Sequence, residues 1–233
     1  DSPNQPKNFK GSFNGQNHQI DDLYIKRPGE RSVGLFAGTS NNPVLENLRL
    51  DNIDITGELN VGSLVGSANA GSHIEDVVTS GNVWGIKNVG GLLGSIKEAA
   101  FTVTDCQTDV HVSGAKNVGG LIGALQDSTL QNSTAHGNVS AVVVDGIVQQ
   151  NFGGLVGQAD TDFNGEFTIS NCYASGGVHA PDADNTGGLI GQIREKTNAE
   201  ANATNCYSSG SVQGGNNTGG LVGKNDGEAQ VLS

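Results

Sequence analysis

A short run of glycine and apolar residues recurs seven times along this chain. Its most regular form is Val-Gly-Gly-Leu-Ile-Gly, and the copies begin at Val33, Val61, Val89, Val118, Phe152, Thr186 and Thr218. Measured between their first glycines, successive copies are 28, 28, 29, 34, 34 and 32 residues apart. We call this run the glycine phrase. A period of about 30 residues is typical of stacked supersecondary units, each of which needs its neighbours to cover its apolar face.

Three further positions repeat with the glycine phrase. A polar column reads Asp22, Asn47, Asp76, Asp105, Asn132, Asn171 and Asn205. An apolar column lies two residues earlier and reads Ile20, Leu45, Ile74, Val103, Leu130, Ile169 and Ala203. A third column lies one residue later and reads Leu23, Leu48, Val77, Cys106, Ser133, Cys172 and Cys206. The small and β-branched residues around these columns favour strands, and Asn and Asp favour corners because they tolerate left-handed backbone.

These columns predict an all-β fold, a parallel β-solenoid of about seven coils with roughly three short strands per coil. At roughly 4.8 Å per coil, the stack would be about 35 Å long. The leucines of the phrase should form a buried column: Leu35, Leu64, Leu92, Leu121, Leu155, Leu189 and Leu221. A two-sheet or propeller arrangement is the alternative that a repeat of this length leaves open.

An asparagine stands directly before six of the seven phrases, at Asn60, Asn88, Asn117, Asn151, Asn185 and Asn217. Identical amides stacked in register can hydrogen-bond along the stack. We therefore expect these asparagines to form a structural ladder.

The whole chain, 1–233, is predicted to be a single solenoid excised from a longer protein. Its opening strand and first coil would lie in 1–32, the repeats in 33–223 and a polar tail in 224–233. The tail is too short and polar to cover an open end, so further repeats or domains of the parent chain are expected. The most helix-like stretch lies between Ile193 and Ala203.

The phrase with its preceding asparagine, together with the run Asn-Cys-Tyr-Ala-Ser-Gly upstream, resembles the GLUG repeat. The similarity spans residues 9 to 223. Such repeats occur in large secreted or surface-attached bacterial proteins, among them filamentous-haemagglutinin-like adhesins and the non-catalytic region of IgA1-protease-like proteins. The resemblance implies a β-solenoid in an extracellular or bacterial cell-surface setting, and it implies no catalytic residues.

Composition narrows the choice of partners. The formal net charge is −12, and no apolar run is long enough to span a bilayer. Nucleic acid and anionic membrane surfaces attract basic proteins, so neither is expected as a partner, and no membrane insertion is expected. The three cysteines contain no C-x-x-C pair and are too few for a disulfide framework. We expect them to be small buried side chains in the reduced state.

Two groups of residues are candidates for binding. Asp76 and Asp105 fall on neighbouring layers of the polar column, where they either share a calcium ion or act as solvated corner residues. Calcium is therefore the one cofactor for which the sequence offers candidate ligands. Trp84, Tyr173 and Tyr207 are predicted to point outward, where they either contact a ligand or form a surface ladder without one.

Four segments depart from the minimal repeat and are predicted insertions, at Ala141–Gln150, Gln158–Glu166, His179–Asp184 and Gln192–Ala201. In solenoids, insertions often cluster on one binding face. The histidines belong to no nucleophile motif, so no catalytic residue and no enzyme activity are expected. The predicted function is that of an adhesin stalk or binding module, which contacts a host or bacterial surface protein or glycan. A carbohydrate-active β-helix (polysaccharide lyase or hydrolase) and an accessory region of a secreted protease are the alternatives.

Overall fold

The computed structural model describes residues 8–69, 71–97, 100–228 and 230–232, and within these ranges the chain forms strands and no helix. No membrane-spanning helix is therefore found among the described residues. The first coil comprises β1 (Phe13–Asp21), β2 (Tyr24–Lys26), β3 (Arg31–Val33) and β4 (Phe36–Gly38). The second comprises β5 (Val44–Thr56), β6 (Leu59–Val61) and β7 (Val65–Ala68). The third comprises β8 (His73–Trp84), β9 (Lys87–Gly90) and β10 (Leu93–Ile96). The fourth coil comprises β11 (Phe101–Thr104), β12 (Gln107–Gly114), β13 (Lys116–Gly119) and β14 (Ile122–Gln126).

The later coils divide the first side of the solenoid into shorter strands. The fifth coil comprises β15 (Ser128–Gln131), β16 (Thr134–Ala135), β17 (Val139–Ala141), β18 (Gln150–Gly153) and β19 (Val156–Asp160). The sixth comprises β20 (Glu166–Ser170), β21 (Tyr173–Ala174), β22 (Val178–Ala180), β23 (Asp184–Gly187) and β24 (Ile190–Arg194). The seventh comprises β25 (Glu200–Thr204), β26 (Tyr207–Ser208), β27 (Val212–Gly214), β28 (Thr218–Gly219) and β29 (Val222–Asp226), and β30 (Gln230–Leu232) follows it.

Each coil passes through three parallel sheets in the same order. The first sheet has sixteen strands and contains the polar column. The second and third sheets have seven strands each and are formed by the two halves of the glycine phrase. The predicted parallel β-solenoid is thus confirmed, with three sides and seven coils.

Equivalent residues of successive coils lie in register along the axis. In the second sheet, Val61 pairs with Val89, Val89 with Val118 and Val118 with Phe152. The third sheet aligns Val65, Leu93, Ile122, Val156, Ile190 and Val222 in the same way. The first sheet aligns Leu45, Ile74, Val103, Leu130, Ile169 and Ala203. These rows of buried apolar side chains form one continuous core along the axis.

The phrase leucines are buried as predicted only in the inner coils. Leu64, Leu92, Leu121, Leu155 and Leu189 have no exposed surface. Leu35 and Leu221 are only partly buried, because each lies in an end coil and is covered from one side. The prediction was therefore wrong for the two terminal members of the column.

Several predicted boundaries need correction. The first coil continues past residue 32, because β4 ends at Gly38. The predicted polar tail contains most of β29, and β30 pairs with β25 in the first sheet. The helix-like stretch between Ile193 and Ala203 contains the end of β24, a turn at Lys196–Ala199 and the start of β25. Hydrophobic spacing over so short a stretch did not distinguish a helix from two strands joined by a turn.

The predicted insertions lie on two corners rather than on one face. Ala141–Gln150 and His179–Asp184 connect the first sheet to the second, whereas Gln158–Glu166 and Gln192–Ala201 connect the third sheet to the first. All four are also shorter than predicted, because their end residues belong to the flanking strands. The connections themselves lie at 142–149, 181–183, 161–165 and 195–199.

The second glycine of the phrase allows the coils to approach closely. A Cβ added to Gly154 would lie 2.2 Å from the carbonyl oxygen of Gly188, and Gly91, Gly120 and Gly188 meet the following coil in the same way. A Cβ added to Gly220, in the last of the seven phrases, would meet no described atom within 4 Å. The second coil carries Ser63 in this column, and its hydroxyl is buried without a hydrogen-bond partner.

We predict that Gly154→Ala lowers the free energy of unfolding by about 3 kcal/mol, because the new methyl group overlaps backbone that cannot rotate away. Gly220→Ala is the matched control and should change stability by less than about 0.5 kcal/mol. Chemical denaturation of both variants measures the difference. Equal stability of the two variants would contradict the close approach of the coils.

Candidate functional site

The asparagines that precede the glycine phrase form one hydrogen-bonded column. Each side-chain Nδ2 donates to the Oδ1 of the asparagine one coil earlier, at 2.7 to 2.9 Å, through Asn60, Asn88, Asn117, Asn151, Asn185 and Asn217. All six have left-handed backbone, with φ between 53° and 65°. Asn151 is 1% exposed and also donates to Gln158. These side chains are occupied by one another, so the column holds the corner between the first and second sheets.

The polar column of the first sheet also has left-handed backbone throughout, with φ between 49° and 56°. In its last three coils it forms a second, shorter ladder. Asn171 donates to Asn132 at 3.1 Å, and Asn205 donates to Asn171 at 2.6 Å. Three of the four earlier members are aspartates, Asp22, Asp76 and Asp105, whose carboxylates have no donor to offer one another.

Asp76 and Asp105, the candidate calcium ligands, occupy successive coils of this column and are exposed. Within the part of the chain that the structure describes, no group of three or more His, Cys, Asp or Glu side chains is placed to hold a metal ion. Calcium takes six to eight oxygen ligands. Two exposed carboxylates therefore fall short of such a site, and the left-handed corner gives each aspartate a structural reason to be there.

The column that follows contains the three cysteines, which are buried and unpaired as predicted. Each thiol donates to the carbonyl oxygen two residues earlier, as Cys172 does to Ser170 at 3.1 Å. Its sulfur in turn lies near a backbone N–H of the preceding coil, at 3.4 Å between Cys206 and the nitrogen of Cys172. Ser133 makes the same two contacts with its hydroxyl. Cysteine and serine therefore serve one structural purpose in this column.

Burial makes two of these thiols poor nucleophiles, whereas the hydrogen bond with Cys172 lowers the pKa of the buried Cys206 thiol to about 7. Removal from water raises the pKa of Cys106 to about 12. The hydrogen bond with Cys206, together with burial, raises the pKa of the Cys172 thiol. Because the thiolate is the reactive form, neither side chain is suited to nucleophilic chemistry.

Tyr173 and Tyr207 lie one above the other on the outer face of the first sheet. Their rings are 4.9 Å apart between centroids and nearly parallel, with 3° between the planes. His136 meets the edge of Tyr173, with its Nε2 atom 3.4 Å from the tyrosine hydroxyl oxygen. Tyr207 is 54% exposed and leaves an aromatic surface open to solvent.

Trp84 does not belong to this aromatic group. It ends β8 and pairs with Thr56 and Ser113, half-buried on the same outer face. Compared with Trp84, Tyr173 lies three coils further along the axis and is displaced by six residues along the strand direction. With the usual spacings between strands and along a strand, the two residues are about 25 Å apart. The three predicted ligand-binding residues therefore cannot form one small site.

Sequence reasoning missed a notch at the corner between the third and first sheets. Asp127 alone connects β14 to β15, whereas β10 and β11 are four residues apart and β19 and β20 are five residues apart. The short connection between two longer ones leaves an opening of about 700 Å³. Phe163 lines it and is 63% exposed. The sequence indicated that the corners vary in length. It did not indicate that a corner of one residue lies between two longer ones.

Part of the chain matches a known family of sequence repeats. The family model described as the GLUG motif matches residues 114–140 and 149–178. The chain contains GLUG repeats. Each matched GLUG segment begins within three residues of a ladder asparagine and runs through the third sheet back into the first.

Two relatives extend this comparison. Halomucin from Haloquadratum walsbyi is 41% identical over 87 residues, which is 37% of this chain and 1% of halomucin. The crystal structure of a candidate immunoglobulin A1 protease from Bacteroides ovatus matches with a TM-score of 0.60 and 17% identity, over 90% of this chain and 68% of that one. At this identity the match shows that the GLUG repeats and that protein share a fold.

We predict that Asn151→Ala lowers the free energy of unfolding by about 3 kcal/mol, because buried amide groups of Asn117 and Asn185 lose their partner. Asn198→Ala is the matched control. Asn198 also has left-handed backbone, with φ of 57°, but is exposed and outside the ladder. Its replacement should cost only the backbone strain, about 1 kcal/mol. Thermal or chemical denaturation measures both, and equal losses would mean that the ladder adds nothing.

We predict that all three thiols of the folded chain react slowly with Ellman's reagent at pH 8, and that all three react within seconds to minutes after unfolding in guanidinium. All three cysteines are buried, which keeps the reagent away from their sulfurs. In Cys106 and Cys172 burial also raises the pKa of the thiol, so the unreactive protonated form dominates at this pH. Ser209 is exposed and lies three residues after Cys206. A Ser209→Cys variant therefore adds an exposed thiol, and one equivalent of thiol per chain should react rapidly. Rapid labelling of the unmodified folded chain would contradict the buried column.

Proposed function

We propose that this chain is a rigid, non-enzymatic segment of a large secreted or cell-surface protein, in which it acts as an adhesin stalk that also carries a binding surface. The observation that supports this most directly is the stacking of seven coils in parallel sheets, held at one corner by the asparagine ladder. Every coil is fixed to the next by backbone and side-chain hydrogen bonds. Such a rod resists bending because any bend has to open a sheet on one side.

The relatives support a setting in a long protein. The segment of 87 residues similar to halomucin is 1% of that protein, so closely related sequence occurs within a very large chain. A segment of seven coils spans about 35 Å along its axis. We infer that the GLUG repeats of this chain supply length and stiffness to a longer protein, at an extracellular or cell-surface location.

The surface chemistry favours protein or glycan partners. The net charge of −12 opposes binding to nucleic acid. The stacked rings of Tyr173 and Tyr207 offer rigid aromatic contact area, which costs little side-chain entropy on binding. We propose that this pair contributes to adhesion.

We predict that beads coated with the chain adhere to cells or to surface glycoprotein more strongly than uncoated beads, and that Tyr173→Ala/Tyr207→Ala reduces this adhesion several-fold. Both rings are on the outer face, so the double variant should keep the melting temperature of the parent within a few degrees. Trp84→Ala serves as the matched aromatic control outside the tyrosine pair. Counting adherent beads under flow measures the effect.

Two results would contradict the proposal. Coated beads that adhere no better than uncoated ones would remove the adhesive function. Turnover of any polysaccharide in a panel, abolished by substitution of one group of carboxylates, would replace the stalk with the carbohydrate-active alternative.

A further inference from the structure

We propose that the notch at Asp127 binds a neutral glycan, with Phe163 as the stacking platform. This inference rests on the adhesive function proposed above and specifies where and what the chain binds. The site is built from corner connections, whose length changes from one repeat to the next.

The shape of the notch follows from chain length at three successive corners. The backbone N–H of Ala100 donates to Asp127, and that of Asp127 donates to Asp160, so the three corners are direct neighbours along the axis. The middle corner consists of one residue, and the residues on either side of it stand about two coil spacings, or about 10 Å, apart. A gap of this size admits a flat ring between two walls.

The wall that carries Phe163 is held in place by hydrogen bonds. Asp162, Phe163, Asn164 and Gly165 form a turn, in which the Gly165 N–H donates to the Asp162 carbonyl at 2.9 Å and Asn164 has φ of 55°. The buried carboxylate of Asp127 accepts the Asp162 N–H at 3.0 Å. Gly165 lies so close that an added Cβ would be 2.0 Å from Asp127 Oδ1. The exposed ring is therefore presented by an ordered turn, and little freedom is lost when a ligand binds.

Planar polar groups surround the ring. Gln126, Thr129, Asp162, Asn164 and Glu166 line the notch together with Phe163. Gln126 and Lys196 both donate to the Asp162 carboxylate, which fixes its orientation. One exposed aromatic ring with several oriented amide and carboxylate groups matches a sugar, which has an apolar C–H face and a rim of hydroxyl groups that both donate and accept.

The same lining disfavours other ligands. The three carboxylates of Asp127, Asp162 and Glu166 face two ammonium groups, that of Lys97 and that of Lys196, which pairs with Asp162. The remaining excess of negative charge disfavours a sialylated or sulfated glycan. No set of three metal-binding side chains occurs in the described ranges, which disfavours a cation here. A single phenylalanine among polar groups also provides less apolar area than the clustered anchors of protein interfaces.

The notch differs from the tyrosine pair in one respect that matters for affinity. Tyr173 and Tyr207 stack on each other and lie on the face of a sheet, so a ligand can contact only one side of the exposed ring. Phe163 stands beside a depression, and a sugar stacked on it can also reach groups on the floor and on the opposite wall. Contacts from several directions are what distinguish a binding site from an adhesive surface.

The test uses the full chain and a printed panel of neutral hexose and N-acetylhexosamine oligosaccharides, with sialylated and sulfated members for comparison. The strongest binder is then titrated by calorimetry. We expect a neutral member to bind, and Phe163→Ala and Phe163→Leu to weaken binding by about tenfold, while Phe163→Trp keeps it. Val148→Ala removes a similarly exposed apolar side chain, 67% exposed against 63%, at a different corner and should have no effect.

The leucine variant separates stacking from ordinary apolar contact, because leucine keeps the hydrophobic area and loses the ring. A second readout is available because the chain has one tryptophan. In a Trp84→Phe/Phe163→Trp chain, the glycan should change the fluorescence of the single indole. Since Phe163 is exposed, all these variants should retain the circular dichroism and melting temperature of the parent.

The inference is overturned if no neutral glycan binds, if anionic glycans bind more tightly, or if Phe163→Leu binds as well as the parent. These results are distinguishable from failure of the proposed function. Beads that still adhere to cells while Phe163→Ala and Phe163→Leu bind glycans normally would leave the adhesive stalk intact and remove only the notch. Beads that fail to adhere would remove the stalk function whatever the notch binds.

Discussion

Contact between equivalent residues at a single coil spacing is the constraint on which this structure depends. No coil of about 30 residues can enclose a core of its own, because its apolar side chains would face solvent above and below. Stacking supplies the cover, and it works only if each backbone group meets its counterpart in the next coil. The doubled glycine lets the chains approach, the left-handed asparagines turn the corner, and their amides bond along the axis. Loss of register at one coil would disturb all three.

Much of the architecture could be predicted from the sequence because it is periodic. The columns of asparagine, leucine and branched apolar residues appear at fixed offsets, and a fixed offset in a repeat implies a fixed place in the coil. The same reasoning explains why Cys106, Ser133 and Cys172 share a column, since each bonds with two backbone groups in the same way. The errors occurred where periodicity ends, at Leu35 and Leu221 in the end coils and at the turn around Asn198.

The candidate sites were harder to predict for a related reason. Trp84, Tyr173 and Tyr207 were correctly expected on the outer face, but sequence position alone did not reveal that Trp84 lies far from the other two. The notch could not be predicted at all, because it depends on Asp127 being the only residue of its corner while both neighbours are longer. Repeated positions are used to hold the coils together. The notch lies at a corner whose length does not repeat, whereas the tyrosine pair occupies one repeated position on the outer face of the first sheet.

The asparagine ladder has a further consequence for how such a protein changes over generations. Every rung presents an amide donor to one side and an amide acceptor to the other, in the same direction from Asn60 to Asn217. A coil gained by gene duplication, or lost by recombination, would therefore leave matching partners at the junction. The number of coils can drift in whole steps at little cost, so natural lineages should vary in rod length more readily than in cross-section.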